Sequence, residues 1–494
     1  MNLQLCFIPT SLIDLFAVAT QATGDTASFA VIADPHFYDT NLGTTGEAFE
    51  AYLAQDRKML RESETILSSA IKMIKVRRPD FVLVTGDLTK DGELTSHQKF
   101  AGYMAQLEAT GIHVLVCPGN HDINNPLAVS FDGAITRPVA HVSPVEFASI
   151  YDEFGYGEAI ERDPHSLSYL AEPVEGLWVL ALDVCKYEDN MASGYPETGG
   201  ALRPETLNWV LNKLVAARML GKQVIAFGHH GVIEHYTGQN GAFADYVIDD
   251  WQTVSASLAN AGLKMMFTGH YHANGITQTA SDDGLPTLFD VETGSLVTYP
   301  FPVRFVSLHN DQAAVHTQHV TRIRYNTGGV PFPEYAQDFL YQGLLGIAQY
   351  TLMTEYGLPA DQAAALAPVA ADAFTAHYAG DERPSAETLN LINGLLADPD
   401  LTTQFLGQML HALWTDLLPS DNYTFLNCGA SITLTVAGTY ATGVFDEGTA
   451  EIEDRDPATQ RLFVVNGDAN AIEGSLPLRG PPPTLPLSIH RRPL

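Results

Sequence analysis

The chain has 494 residues, 46% of them hydrophobic, which is too long for one ordinary core and too apolar for a disordered chain, so two or three globular domains are expected. Lys and Arg number 26 against 58 Asp and Glu, a net charge of −32. That surface repels polymeric nucleic acid and anionic membranes, yet a small anionic substrate is accommodated where bound cations reverse the field locally.

No run is long and apolar enough to span a bilayer. Residues 1–27 are a candidate export segment or disordered: Leu12 to Ala22 is apolar and ends in small residues, but a basic leader is missing and Asp14 interrupts it. Cys6, Cys117, Cys185 and Cys428 are scattered without a CxxC, which reads as buried or free thiols.

Residues 28–325 alternate short apolar strands with helical stretches. The strands are Phe29–Ala33, Phe81–Thr85, Ile112–Cys117, Trp178–Leu182, Val224–Phe227 and Met265–Thr268. Gln55 to Lys75 and Arg203 to Leu220 carry apolar residues at helical spacing. This pattern implies an α/β fold with both sheet faces covered. Thr287–Val291, Val303–Leu308 and Ala313–Gln318 read as a closing antiparallel meander. Residues 334–420 switch to helical patterning, over Tyr335–Glu355, Ala360–His377, Ser385–Leu396 and Leu401–Leu417, which suggests a small all-α bundle. Residues 423–472 are β-rich, with strands at Ile432–Ala437 and Arg461–Val465, and residues 473–494 are Pro-rich and expected to be disordered.

Five polar clusters each follow a strand: Asp34 with His36; Gly86-Asp87; Gly119-Asn120-His121-Asp122; Gly228-His229-His230; and Gly269-His270-Tyr271-His272. In an open α/β sheet, ligands gather beyond the carboxyl ends of the strands, so the clusters are expected to converge. Oxygen and imidazole donors without thiolate select Mn, Fe or Zn. The donors Asp34, His36, Asp87, Asn120, His229, His270 and His272 are too many for one tetrahedral ion and suit two ions sharing a carboxylate. His121 is then free to bond a substrate phosphate and protonate a leaving oxygen, with Asp122 expected to orient it. Taken singly, Asp34 and Asp87 are ordinary turn residues. For His230, a structural role and a substrate-facing one are evenly balanced. His97, His141, His165, His235, His309, His316 and His319 read as surface or loop residues, and Asp183 as structural.

The ordered set DxH, GD, GNHD, GHH and GHxH within residues 34–272 resembles the calcineurin-like metallophosphoesterase superfamily. The resemblance implies a four-layer α/β/β/α sandwich and two divalent or trivalent ions. Asp34, His36, Asp87 and His272 would hold one ion, and Asp87, Asn120, His229 and His270 the other. His121, Asp87 and Asp122 would be catalytic, and Asn120, His121 and His230 would face substrate.

No DxxY lies between Asp34 and Asp87, which disfavours the purple acid phosphatases, and GNHD in place of GNHE disfavours the 5′-nucleotidase type. The core followed by a helical region looks more like the class III cyclic-nucleotide phosphodiesterases and their bacterial relatives. That likeness implies hydrolysis of a phosphodiester, with a 3′,5′-cyclic nucleotide as a candidate, by in-line attack of a metal-bound hydroxide. The alternatives are a phosphomonoesterase or a lipid head-group diesterase. In the loops Ile123–Ser168 and Tyr187–Gly200, the aromatics Tyr151, Phe154, Tyr156, Tyr187 and Tyr195 could stack on a base, though ordinary packing is the favoured reading. The stretch GTYATGVFDEGTAEIEDRDPATQRLFVVNGDANAI is similar to the opening of the choice-of-anchor I domain of bacterial secreted and surface proteins. It points to export, periplasmic or cell-surface, with a cytoplasmic location as the alternative, and raises the reading of an adhesion protein with a vestigial phosphoesterase domain.

Overall fold

The computed structural model describes residues 26–54, 56–280, 287–309, 312–380, 382–427, 451–456, 461–466 and 471–477. They fall into two compact units, 1–431 and 432–494. The candidate export segment, the Ile432–Ala437 strand, Cys6, Cys428 and residues 478–494 lie outside the described residues.

The first unit holds two large sheets. In one, β1 (Thr26–Ile32), β2 (Phe81–Thr85) and β3 (His113–Cys117) run parallel. In the other, β8 (Leu177–Leu182), β9 (Gln223–Gly228) and β10 (Met265–Thr268) do the same. Between β3 and β8 come the hairpin β4 (Val129–Asp132) and β5 (Ile135–Pro138), then β6 (Glu161–Arg162) and β7 (Tyr169–Val174) on the edge of the second sheet. Both parallel sets are continuous apolar runs, as strands buried on two faces must be.

The period of two assigns the faces. Val179 and Ala181 on β8, Ile225 and Phe227 on β9, and Phe267 on β10 join the core between the sheets. Their neighbours Trp178, Leu180, Leu182, Ala226 and Met266 join an outer cluster instead. Phe29 on β1 ties the layers, its ring 4.8 Å from Phe81 beside it and 5.0 Å from Phe267 on the other sheet. Four helices cover the outer faces. Helices α1 (Ser63–Arg77) and α2 (Leu94–Glu108) bring Ile66, Ile74, Phe100 and Met104 to the first sheet. Helices α3 (Pro204–Leu220) and α4 (Trp251–Ala261) bring Trp209, Leu214 and Leu258 to the second. The result is the expected α/β four-layer sandwich.

The structure corrects several sequence-level expectations. β11 (Gly275–Ala280) and β12 (Thr287–Glu292) belong to the second sheet, where β12 runs parallel to β10. β13 (Pro302–His309) crosses to the first sheet, pairs antiparallel with β1, and turns back into β14 (Gln312–His319). The expected three-strand meander is therefore split between the sheets, because strand pattern alone does not say which sheet a strand enters. Helix α1 starts only at Ser63, since residues 56–62 form a turn-rich approach with Met59 N donating to Val297 O at 2.8 Å.

The helical stretch is α5 (Phe332–Thr354), α6 (Ala360–Ala379), α7 (Ala386–Leu396) and α8 (Leu401–Leu413). Leu340, Leu344, Ala371, Tyr378, Ile392 and Leu410 pack around Tyr236 and Tyr271 of the sandwich rim. The chain then returns to the first sheet as β15 (Tyr423–Asn427), antiparallel to β14. Tyr423 thus continues the sandwich rather than opening the C-terminal segment. In the second unit, β16 (Glu451–Asp456), β17 (Arg461–Asn466) and β18 (Ala471–Pro477) form one antiparallel sheet, with β18 running past position 473. Among the described residues no helix is long and apolar enough to cross a membrane.

Because Phe29 is fully buried and touches both sheets, Phe29→Ala is expected to destabilise the first unit by about 3–5 kcal/mol. Urea unfolding checks this; a midpoint within error of wild type contradicts the two-sheet core.

Candidate metal centre

The five clusters sit just past β1, β2, β3, β9 and β10. The chain turns there by left-handed backbone: φ is 47° at Asp34, 33° at His36, 50° at Asp87, 75° at His270 and 68° at His272. Only nine described non-glycine residues have positive φ, and five of them are these. Strain of that kind persists where surrounding structure enforces it, and it concentrates at functional sites. Two motif glycines are needed for close approach. A Cβ on Gly119 would lie 2.0 Å from Asp87 N, and one on Gly269 would lie 2.4 Å from Asp34 Oδ2.

The side chains converge as two sets, which a third group, His36, Asp87 and His121, links. Asp34, His36 and His272 offer ligand atoms within 4.8 Å of one another, and so do Asp87, His229 and His270. His36 Nε2 is 3.1 Å from His272 Nε2, and His272 Nε2 is 3.7 Å from Asp34 Oδ1. Asn120 Oδ1 lies 3.0 Å from His229 Nε2. One oxygen, Asp87 Oδ2, is 3.5 Å from His36 Nε2 and 3.3 Å from His229 Nε2, between the sets. His270 gives Nε2 to Asp245 O at 3.1 Å, which leaves Nδ1 for the cluster. His229 is oriented from behind by Thr85 O, 2.9 Å from Nδ1. All seven expected donors are thus brought together and buried. They are hard oxygens and imidazoles sharing one carboxylate, the donor set that fits two Mn, Fe or Zn ions.

Burial and the Asp87 charge push the Asp34 carboxyl up. Burial opposes Asp87 too, but the imidazoles of His229, His121 and His36 hold it low. Burial would lower His229, yet Asp87 and Asp34 raise it to about 9. The cluster is electrostatically incomplete without added positive charge.

His121 stands at the open edge, its side chain 24% exposed against 2% for Asp87. Its Nδ1 lies 2.8 Å from Asp91 Oδ1 and its Nε2 4.0 Å from Asp87 Oδ2. Asp91 therefore orients His121, and the expected role of Asp122 is corrected. The Asp122 carboxylate points the other way and accepts from the backbone N–H of Gly119 (2.8 Å), Leu88 (3.0 Å) and Thr89 (3.0 Å), and from Thr89 Oγ1 (3.0 Å). It stitches the loop after β3 to the loop after β2. Asp91 carries only a faint sequence signal, a second carboxylate four residues past the GD.

His230 is also corrected. It is fully buried, donates Nε2–H to Thr198 O (2.8 Å), packs with its ring tilted at 47° and 4.0 Å from the His270 ring, and sits against Gly200. It packs behind His270 and is closed off from solvent. His97 is no surface residue: buried on α2, it bonds Asp122 O at 3.0 Å and Tyr151 OH at 2.8 Å. His235 is buried beside Asp290 and Glu292. Tyr151, Phe154 and Tyr156 lie in the core and Tyr187 donates to Asp183 Oδ2 at 2.7 Å, so of the loop aromatics only Tyr195 is exposed. Cys117 and Cys185 are buried free thiols.

The family model described as calcineurin-like phosphoesterase matches residues 27–274, half of the chain. The chain belongs to that family. It is accordingly a metal-dependent phosphoric ester hydrolase, and the family implies a dinuclear centre. No curated protein matches it in sequence. Among solved structures, a dimetal phosphatase from Danio rerio is similar at a TM-score of 0.42 and 15% identity, over 59% of this chain and 96% of that one. A purple acid phosphatase from yellow lupin (Lupinus luteus) seeds is similar at 0.38 and 11%, over 60% of this phosphoesterase and 52% of its own chain.

Asp122→Ala strands three buried backbone donors, so it is expected to lower the stability of this phosphoesterase by about 3 kcal/mol or more. A thermal-melt comparison decides, and an unchanged melting temperature returns Asp122 to a role toward His121.

Proposed function

We propose that this phosphoesterase hydrolyses a phosphodiester, with a 3′,5′-cyclic nucleotide as candidate substrate, and that His121 protonates the departing oxygen. The observation that carries the reading is the Asp91–His121 pair at the open edge of the centre. Asp91 fixes Nδ1–H, so Nε2 is the nitrogen left to meet a bound ester. Burial works against imidazolium, but the Asp87 and Asp91 carboxylates raise His121 above its ordinary value, which favours the proton-donating form. Departure of an alkoxide without a proton is slow, and a positioned donor contributes about 10²–10⁴-fold.

We assign Asp34, His36, Asp87 and His272 to one ion and Asp87, Asn120, His229 and His270 to the other, with Asp87 shared. When bound, the ions neutralise phosphoryl charge and lower the pKa of the attacking water. The protein holds the donors on strained, glycine-spaced turns, so little rearrangement is needed at the moment of reaction. Convergence of the full donor set favours an active enzyme over a vestigial domain.

Two results are expected. Asp87→Ala leaves less than two ions per chain by elemental analysis and abolishes turnover of bis(p-nitrophenyl) phosphate, as does exhaustive chelation of the wild type, restored by Mn, Fe or Zn. Asp91→Asn and His121→Ala keep both ions but lower kcat about 10²–10⁴-fold. A panel of cyclic nucleotides, open diesters and monoesters then places the substrate. Faster turnover of monoesters, or of a lipid head-group diester, replaces the cyclic-nucleotide assignment; full activity in His121→Ala sinks the role given to that imidazole.

A further inference from the structure

At the end of the sandwich opposite the metal centre, a cleft of about 420 Å³ opens where β8, β9 and β10 begin. That volume lies in the range of roughly 300–1,000 Å³ that holds a small organic ligand. Its floor is apolar and comes from both layers of the core. Leu177, Ile225 and Met265 are inward-facing residues near the start of the three strands, and Leu308 joins them from β13 of the other sheet. Leu214 and Ala217 of α3 complete the floor from the outer cluster. All six are at most 5% exposed, so the floor is core packing that ends at an opening.

The rim has the opposite chemistry. Arg218, Lys222 and Lys264 line it, and among the described residues no carboxylate does. Such a grouping stands out in a chain with 26 cations against 58 acids. Lys222 is fixed in place: its Nζ donates to Glu172 Oε1 at 2.5 Å, and the same carboxylate accepts from Gly176 N at 2.8 Å and Trp178 Nε1 at 3.0 Å. An ammonium carries three donors, so that bond leaves Lys222 able to meet an anion as well. Around Arg218, in the last turns of α3, Val215, Met219 and Leu220 are 56%, 82% and 64% exposed. An apolar floor, a cationic rim and an apolar lip thus lie side by side.

We propose that this cleft binds a single-chain amphiphilic anion, its tail on the floor of Leu177, Leu214, Ile225 and Met265 and its anionic head against Arg218, Lys222 and Lys264. The free monomer is the ligand, because the cleft is sized for one small molecule and a net charge of −32 keeps the protein off an anionic bilayer. Strand β9 runs from Gln223 in the cleft to Gly228 beside the metal centre, roughly 17 Å at about 3.3 Å per residue. The site is therefore separate from the phosphoesterase chemistry and does not depend on it.

The test uses the full-length, metal-loaded protein and laurate below its micelle concentration, followed by calorimetry. One laurate per chain is expected to bind. Decanoate binds about tenfold more weakly, and octanoate about tenfold more weakly again, because each step takes two methylenes off the floor. Arg218→Glu and Lys264→Met each weaken laurate about five- to tenfold and leave turnover of bis(p-nitrophenyl) phosphate unchanged, while Asp87→Ala leaves laurate affinity unchanged. If Lys264→Met does not fold, Arg218→Glu, on an exposed side chain, is read alone. Laurate affinity within twofold of wild type in folded Arg218→Glu overturns the proposal, and so does an affinity that ignores chain length. Loss of binding in Asp87→Ala places the carboxylate on the ions and overturns it too. Binding to anionic vesicles with none to free laurate overturns it in favour of a lipid surface.

Discussion

Two carboxylates buried among imidazoles, Asp34 and Asp87, set the terms for the rest of the molecule. Neither is accessible to water, and burial of an anion is tolerated only with nearby positive charge or hydrogen-bond donors. The protein supplies some of each: His270 N donates to Asp34 at 3.0 and 3.1 Å, and His121 N to Asp87 Oδ1 at 2.9 Å. The imidazoles do the remainder only if they are protonated or if cations lie among them. A fold that keeps these groups dry and close is therefore organised around cations. The paired parallel sheets serve that end, because they bring five strand termini to one rim.

Holding the rim in place requires parts with no chemistry of their own. Asp122 and His97 form a buried brace, with Asp122 tying three backbone amides and His97 capping the Asp122 carbonyl. Lys90 adds a second brace. It is fully buried, 4.4 Å from the Tyr52 ring centre and 5.5 Å from that of Phe131, and it pairs with Asp91. The ammonium keeps Asp91 ionised, burial notwithstanding, so Asp91 remains an acceptor for His121.

The strands that carry ligands were legible in the sequence because each is a short apolar run ended by a donor, with glycine before it in four of the five. Their ends agree with the structure to within three residues, and the seven donors converge as their spacing implied. What stayed hidden depends on direction in space. Asp122 follows His121 in sequence, yet adjacent residues leaving a strand point apart, so the partner of His121 came from another loop. His230 follows His229 and is likewise turned away. β12 and β13 have the same apolar pattern but enter different sheets, a choice made by packing on either side of the core. Helix α2 and strand β7 have weaker patterns because polar residues such as His97 are buried by specific partners, which no periodicity records.

The helical stretch acquires a physical role from the same contacts. Tyr271, the residue between His270 and His272, points away from the centre and bonds Tyr236 OH at 2.7 Å within the core shared with α5, α6 and α8. Alternation along the GHYH turn thus gives two imidazoles to the centre and one phenol to the helices. Tyr378 of α6 holds Arg57. The helices therefore hold two segments at once: the turn that carries two donors, and the approach to α1 through Arg57. Loss of helical packing would loosen the geometry of the centre without touching any donor, which makes the helical stretch part of the site's scaffold and not a passive addition to it.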